Sequence, residues 1–518
     1  METAVRLLET FADAGVEVCF ANPGTSEMHL VAALDRTPRI RPVLGLFEGV
    51  VTGAADGYGR MHGGPALTLL HLGPGLSNGA ANLHNAFRAR TPIVSLVGDH
   101  AVAHRVNDAP LQSDIASLAR PVSRWLAAAE TPQQAVDLAT WAVETATREG
   151  PGALVVPADL GWSDVVPGRS APALQAGAPT PPWDRGLEAI AARLRGGACA
   201  LVLGGRRLGA EACAAAVRIG AATGALVLTD TFPARIERGR DRAVLPRIPY
   251  LIEMSAGLLR SSRTVILAGA PPPVAFFALP GRPMRPTAED AEMLVLAPVG
   301  EDPTAALVAL ADAIGGPAPA YVGPSPGAPG LGPTEHDHAL DADLLARVFA
   351  ATMPPDAIVC DESISLGLYA YDQAAGAAPH DWLSLTGGAI GQGLPLATGA
   401  AIACPDRRVI ALQADGSALY TPQALWTQAR EGLNVTNVIL NNGAYAILQL
   451  EMARAGAGPG GRAAEALFDL TRPAIDFCAL AAGFGVPATR VKTAGELAAA
   501  LRRAHATPGP ALIEAMFR

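Results

Sequence analysis

Two segments carry side chains suited to holding a cation and a phosphate. Asp415 follows the apolar run "VIALQ" and opens Asp415-Gly416-Ser417; Asn442 follows "TNVIL" in Asn441-Asn442-Gly443, after an interval running from Ser417 to Leu440. Each run reads as a strand, so two strand ends present a carboxylate and an amide side by side. Carboxylate, amide oxygen and backbone carbonyl are hard donors suited to Mg²⁺, which completes its octahedron with phosphate oxygens and water. Gly416 and Ser417 leave backbone N–H groups near the start of the next helix, where phosphate is favoured. Taken alone, the two segments also read as ordinary turns. Glu48 lies in "LFEGVVTGAADG", a run of apolar and small residues. Apolar surroundings raise a carboxyl pKa; an acid favoured by a helix dipole is the alternative. His71 follows "PALTLL" and stands just before Gly73-Pro74-Gly75, a strand-end position for relaying protons near neutral pH, unless it is a satisfied core histidine.

These residues need elements to position them. Apolar runs such as "EVCFAN", "PALTLLHL", "TPIVSLVGD", "RRVIALQAD" and "VTNVILNN" alternate with Ala-rich helical patterns, which indicates parallel sheets covered on both faces. Ligands of such sheets sit beyond the carboxyl ends of strands. Two Pro/Gly/Ala-rich stretches, 166–182 and 315–334, read as linkers. The expectation is α/β, with three parallel-sheet domains at 1–165, 183–314 and 335–518. Gly49, Gly53 and Gly57 recur every four residues and line one helix face, permitting close approach of another helix. The chain has 518 residues, 50% hydrophobic and 17% charged, enough for a large core. Its net charge of −9, without a basic block, argues against nucleic acid. No apolar stretch is long enough to suggest a membrane span and no leader pattern opens the chain, so a cytoplasmic location is expected. The cysteines, scattered without a C-x-x-C pair, fit reduced thiols.

The pairing of D-G-S with a distant N-N-G resembles the diphosphate-binding signature of thiamin-diphosphate enzymes, G-D-G followed by N-N, with Ala414 standing where the first glycine would be. The resemblance implies Mg²⁺ on Asp415, Asn442 and the Ala444 carbonyl, and diphosphate near Gly416 and Ser417. It also implies that Glu48, in a separate pyrimidine-binding domain, faces the N1′ atom of the coenzyme's pyrimidine. "TGGAIGQGLPLATGA" is similar to the segment that supports the bent cofactor, with Ile390 as its apolar wedge and Gly388 as a contact; "DESIS" is similar to a diphosphate loop, with Ser363 and Ser365 as contacts. "ANPGTSE" and "LHLGPGLSNG" most resemble benzoylformate decarboxylase and its relatives, a group that includes acetolactate-synthase-like proteins. By that likeness Thr25 contacts substrate and His71 is catalytic, although Thr25 or Ser26 would equally cap the following helix. Gln112, Ile447 and Leu448 join the substrate pocket, with Tyr445 beside them and Glu451 on a solvated helix face. Phe276 falls where such decarboxylases place a second histidine.

The implied activity is therefore non-oxidative decarboxylation of a 2-oxo acid, with carboligation as the alternative because that histidine is missing. A catalytically weak cofactor-binding homologue is an alternative of another class. "LVLGGRRLG" is only weakly Rossmann-like, so FAD is not expected, and a nicotinamide dehydrogenase lacks its G-x-G-x-x-G. The resemblance further implies that the glycine helix packs across a subunit interface, giving at least a homodimer and commonly a homotetramer.

Overall fold

The computed structural model describes residues 2–164, 186–315, 330–458 and 460–517. The first sheet contains β1 (Val18–Asn22), β2 (Arg41–Leu44), β3 (Ala66–Leu70), β4 (Ile93–Asp99), β5 (Leu126–Ala128) and β6 (Gly152–Pro157), all parallel, in the order β2-β1-β3-β4-β6-β5. Next come β7 (Cys199–Leu203), β8 (Leu226–Thr229), β9 (Ile236–Arg238), β10 (Thr264–Ala268) and β11 (Glu292–Ala297). Four of these form a parallel sheet in the order β11-β10-β7-β8. The third sheet is built from β12 (Ala357–Glu362), β13 (His380–Ser384), β14 (Val409–Ala414), β15 (Val435–Asn441), β16 (Ala488–Val491) and β17 (Ala511–Met516), ordered β16-β17-β15-β14-β12-β13-β9. The α/β architecture with parallel sheets is as the alternating pattern predicts. The departure is β9, which leaves the middle segment and adds an antiparallel edge to β13. The expected linkers at 166–182 and through most of 315–334 lie outside the described residues.

Central strands are buried along their whole length, as Val/Leu/Ile runs between two helical layers must be: every residue of β3, β4, β7 and β15 is buried. In two sheets the chain reverses its direction of winding. Around β1 it goes first to β2 on one side, then to β3 on the other; around β12 it goes to β13, then to β14. A crevice opens at each reversal, outside the carboxyl ends of the strands.

The helix Glu48–His62 is buried from Glu48 to Met61 and joins the first and third sheets. A β-carbon added at Gly57 would lie 1.9 Å from the Leu396 carbonyl oxygen, and one at Gly53 would lie 2.7 Å from Pro395. Reciprocally, one at Gly399 would fall 1.7 Å from the Ala54 carbonyl oxygen. The backbones therefore approach too closely for any side chain larger than hydrogen. The partner helix, Gly393–Ala403, belongs to the same chain. This corrects the expectation that the glycine face packs across a subunit interface: spacing signals close approach but cannot say which chain supplies the partner. Gly49 is turned differently, toward the Phe47 ring. A buried ion pair reinforces the contact. Arg60 donates two hydrogen bonds to Asp56, at 2.8 and 2.6 Å, and others to the Ser384 and Ala234 carbonyls and the Thr386 hydroxyl, tying all three segments of the chain together. All six cysteines are free thiols.

Candidate active site

The first crevice lies between the ends of β1 and β3, where Asn22 pairs in register with Leu70. Glu48 starts the glycine helix there, 6% exposed. Its two oxygens accept hydrogen bonds from the Asn22 amide at 3.1 Å and the Asn78 amide at 3.0 Å. This corrects the reading of an acid walled in by apolar groups: two amide donors face the carboxylate, and no Lys or Arg pairs with it among the described residues. His71 is adjacent. The β-carbon position of Gly75 is 3.5 Å from Glu48 Oε1 and 3.3 Å from His71 Cβ.

His71 Nδ1 donates to Glu27 Oε2 at 2.8 Å, and Glu27 has no exposed surface. Glu27 also accepts from the Gly24 N–H and the Ser26 hydroxyl. With Nδ1 engaged, Nε2 is the nitrogen left to exchange a proton. Thr25 is exposed at the start of the short turn Thr25–Glu27, and neither it nor Ser26 caps a helix through its side chain. The capping alternative fails because Gly24 and Glu27, not Thr25 or Ser26, stand at the two N-cap positions. Leu72, next to His71, is held at φ +50°, and Ile364, within "DESIS", at φ +53°. Left-handed backbone at such side chains persists only where surroundings over-determine it, a feature that clusters at functional sites.

The second crevice lies between the ends of β12 and β14. Adjacent β14 and β15 are in register to Ala414 and Leu440, so Asp415 and Asn442 emerge from neighbouring strand ends. Asp415 accepts from the N–H groups of Gly416, Asn442 and Gly443 at 2.7, 3.1 and 2.8 Å; the Asn442 side-chain oxygen accepts from the Ala444 N–H at 3.0 Å. Asp415 is 4% exposed and burial raises its pKa, with no cationic side chain bonded to it among the described residues. A buried acid beside an amide oxygen and lacking a counter-charge fits a divalent cation. The Tyr445 ring covers Gly416, whose β-carbon position is 2.3 Å from Tyr445 Cε1. Ser417 is buried and its hydroxyl donates to the Ala414 carbonyl.

The Ile390 segment bridges the two crevices. Asn82 donates to both the Gly49 and Gly391 carbonyls at 2.7 and 3.1 Å, and Asn85 to the Ala389 carbonyl at 2.8 Å. Gly388 and Gly391, at φ +74° and +94°, set the path around partly exposed Ile390. Phe276 touches this segment, its Cζ 2.9 Å from the β-carbon position of Gly388, inside a cluster with Phe232, Tyr250 and Phe277.

Other expected residues are less well placed for ligand contact in this structure. Ser363 is buried and its hydroxyl donates to Asp361 at 2.5 Å; Ser365 is partly exposed. Gln112 is partly exposed, with its buried Oε1 unpartnered. Ile447 and Leu448 lie on the helix Ala446–Arg454, none of whose residues is buried. Glu451 is not on a solvated face. Its carboxylate accepts from Arg454 at 2.5 Å and bonds Tyr250, whose hydroxyl pKa is pushed up to about 12 by burial and by that acid. Sequence reasoning missed Asn22, Asn78, Asn82, Asn85 and the role of Glu27. Asn78, Asn82 and Asn85, spaced by four and three, form a polar stripe on one face of the helix Leu72–Ala89, a signal that was available.

Two strand-end crevices, one with an acid and an imidazole and one with an uncompensated aspartate beside an amide, define a two-centre enzyme built on paired α/β sheets. Comparison with known proteins gives the family. Residues 1–119 match the model "Thiamine pyrophosphate enzyme, N-terminal TPP binding domain", and residues 368–515 match "Thiamine pyrophosphate enzyme, C-terminal TPP binding domain". A Mycobacterium tuberculosis protein, named provisionally as the acetolactate synthase large subunit IlvX, is 50% identical over 99% of this chain and 98% of its own length. Benzoylformate decarboxylase of Pseudomonas aeruginosa is 30% identical over 96% of each. Among solved structures, the thiamine diphosphate-dependent 4-hydroxybenzoylformate decarboxylase of Rhodococcus jostii RHA1 is 26% identical with a TM-score of 0.84, covering 100% of this chain and 99% of that one. The chain belongs to the thiamine pyrophosphate enzymes, a family whose members include 2-oxo acid decarboxylases and acetolactate synthases. Among the described residues no helix is long and apolar enough to cross a membrane.

Proposed function

We propose that this chain is a thiamin-diphosphate- and Mg²⁺-dependent enzyme that decarboxylates a 2-oxo acid without oxidation, in the manner of benzoylformate decarboxylase. The observation that carries the reading is the meeting of Glu48 and His71 at one crevice, Glu48 held by two asparagine amides and His71 by the buried Glu27. Bound thiamin diphosphate supplies a carbon nucleophile for the 2-oxo group and accepts the electron pair released with CO₂. The chain's residues do the rest. Asp415, Asn442 and the Ala444 carbonyl would hold Mg²⁺, Gly416 and Ser417 the diphosphate, with Ser363 and Ser365 near it, and Gly388 and Ile390 the ring system. Glu48 would hold a proton at the pyrimidine N1′, while His71 Nε2 exchanges protons with the substrate-derived group and Thr25 and Gln112 orient it. Ile447, Leu448 and Phe276 would close the substrate pocket.

A second reading, carboligation onto another carbonyl, is favoured by Phe276. Phe276 itself carries no proton to give where the resembling decarboxylases have a histidine, and the nearby Tyr250 hydroxyl is engaged by Glu451, so protonation would be slow relative to capture by an acceptor. In either case the active unit is read as a homodimer or homotetramer in the cytoplasm. The purified chain, loaded with thiamin diphosphate and Mg²⁺ and given a panel of 2-oxo acids, should release CO₂ and an aldehyde; hydroxyketone products would favour the second reading, and absence of CO₂ from every acid would refute both.

A further inference from the structure

Glu362 ends β12 at the winding reversal of the third sheet and pairs in register with Gln413, two residues before Asp415. Its side chain is buried, and no cationic group bonds it among the described residues. The carboxylate instead accepts three hydrogen bonds: from the Gly391 N–H at 2.5 Å, the Gly393 N–H at 2.5 Å and Gln413 Nε2 at 3.0 Å. Gln413 Nε2 also reaches the Ser417 hydroxyl at 2.5 Å. One acid thus clasps the segment just after Ile390 and, through Gln413, the turn that follows β14. A β-carbon at Gly393 would lie 2.2 Å from Gln413 Oε1 and 3.0 Å from Glu362 Oε2, so the clasp also dictates glycine there.

Two N–H donors converge from one loop, and only a carboxylate presents an acceptor to each. An amide would set its own NH₂ against one of them. The charged groups around the clasp are all otherwise engaged. Asp361, on the same strand, accepts from Ser363 and Trp382; Asp415 stands at the end of β14; and the Asp56–Arg60 pair reaches the loop through Gln392. Burial raises the Glu362 pKa to about 7.

We propose that Glu362 is a positioning residue that fixes the Ile390 segment against the end of β14, so that the ring-binding wedge and the diphosphate-binding turn keep one relative geometry. The inference rests on the cofactor reading of Ile390 and Asp415–Ser417 given above. Its test is calorimetric titration of the wild type and Glu362→Gln with thiamin diphosphate plus Mg²⁺ and, separately, with inorganic diphosphate plus Mg²⁺. Losing one buried acceptor and stranding one N–H should weaken thiamin diphosphate about 10–100-fold, while inorganic diphosphate, which does not touch the wedge, changes less than about 2-fold. A measurement on the wild type alone covers a variant that fails to fold: the ratio of thiamin diphosphate to methyl diphosphate affinity should rise from pH 6 to pH 8 as Glu362 ionises, both ligands being diphosphate monoesters with the same terminal ionisation. Unchanged thiamin diphosphate affinity in the variant, equal loss of both ligands, or a ratio flat with pH would overturn the proposal. A wild type that binds neither ligand would bring down the cofactor reading first, and this inference with it.

Discussion

At the scale of single residues, Glu48 has a different support from the one its neighbours in sequence suggest. Two asparagine amides, from β1 and from the helix after β3, point its carboxylate into the crevice. Glu48→Gln keeps the size and the oxygen acceptor but removes the ionisable group. We expect thiamin diphosphate and Mg²⁺ to bind within a few-fold of the wild type, while exchange of the coenzyme's C2 proton, followed by NMR, falls about 10²–10⁴-fold; undiminished exchange would remove Glu48 from the mechanism. Glu27 acts one step further back. Glu27→Gln lets an amide face His71 Nδ1 and no longer selects the tautomer with a free Nε2. Steady-state kinetics should show kcat down about 10–100-fold with KM changed far less, whereas a rise in KM alone would assign Glu27 to substrate binding. Asp415, Asn442 and Glu48 were legible in the sequence because each sits at a strand or helix boundary that hydrophobic patterning marks. Their partners were not, since Asn22 and Asn78 meet Glu48 only after three strands have been laid side by side. Glu451 was misread for the same reason: its partner Tyr250 lies far away in the chain.

At the scale of elements, the alternation of apolar runs and Ala-rich helices made the parallel sheets legible, and glycine spacing marked the helix that must lie against another. The antiparallel β9 was not, because three residues carry too little pattern and its partner β13 is remote in sequence. The helix contact gives a graded test. Gly57→Ala drives a methyl group into the Leu396 carbonyl, whose backbone cannot turn aside, and should destabilise the chain by about 1–3 kcal/mol in urea unfolding. Gly257→Ala, in the helix Ile252–Leu259 with open space around its β-carbon position, should be neutral or stabilising by about 0.5–1 kcal/mol. Similar effects at both positions would mean that helix propensity, not backbone approach, explains the glycines. Asp56→Ala strands the buried Arg60 guanidinium and should cost about 3–5 kcal/mol.

At the scale of the whole molecule, burial of titratable groups in all the packed layers makes stability depend on pH through two opposing contributions. Desolvation holds His29 and His505 down to about 4 and His380 down to about 3, so the folded chain keeps these imidazoles neutral. The unfolded chain protonates them below their ordinary value of about 6.5. Unfolding there takes up three protons, and stability falls as pH drops from 6.5 toward 4. Glu362 works the other way. The folded chain keeps its proton up to about 7, while the unfolded chain releases it above about 4.5, so the stability it contributes is full below 4.5 and is lost as pH rises through 7. Asp415 and Asp230, also raised by burial, add to that opposing contribution. Three protons taken up against the one that Glu362 releases leave a net uptake of at most about two near pH 5, a slope of at most about 2.7 kcal/mol per pH unit, which the raised aspartates reduce. Denaturant midpoints of the cofactor-free chain at pH 5, 6 and 7 should therefore fall on acidification across that window. His505→Gln should flatten the dependence by about one proton, about 1.4 kcal/mol per pH unit, and Glu362→Gln should steepen it by the same amount. A profile that rises toward pH 5 would mean that the raised carboxyls outweigh the three imidazoles.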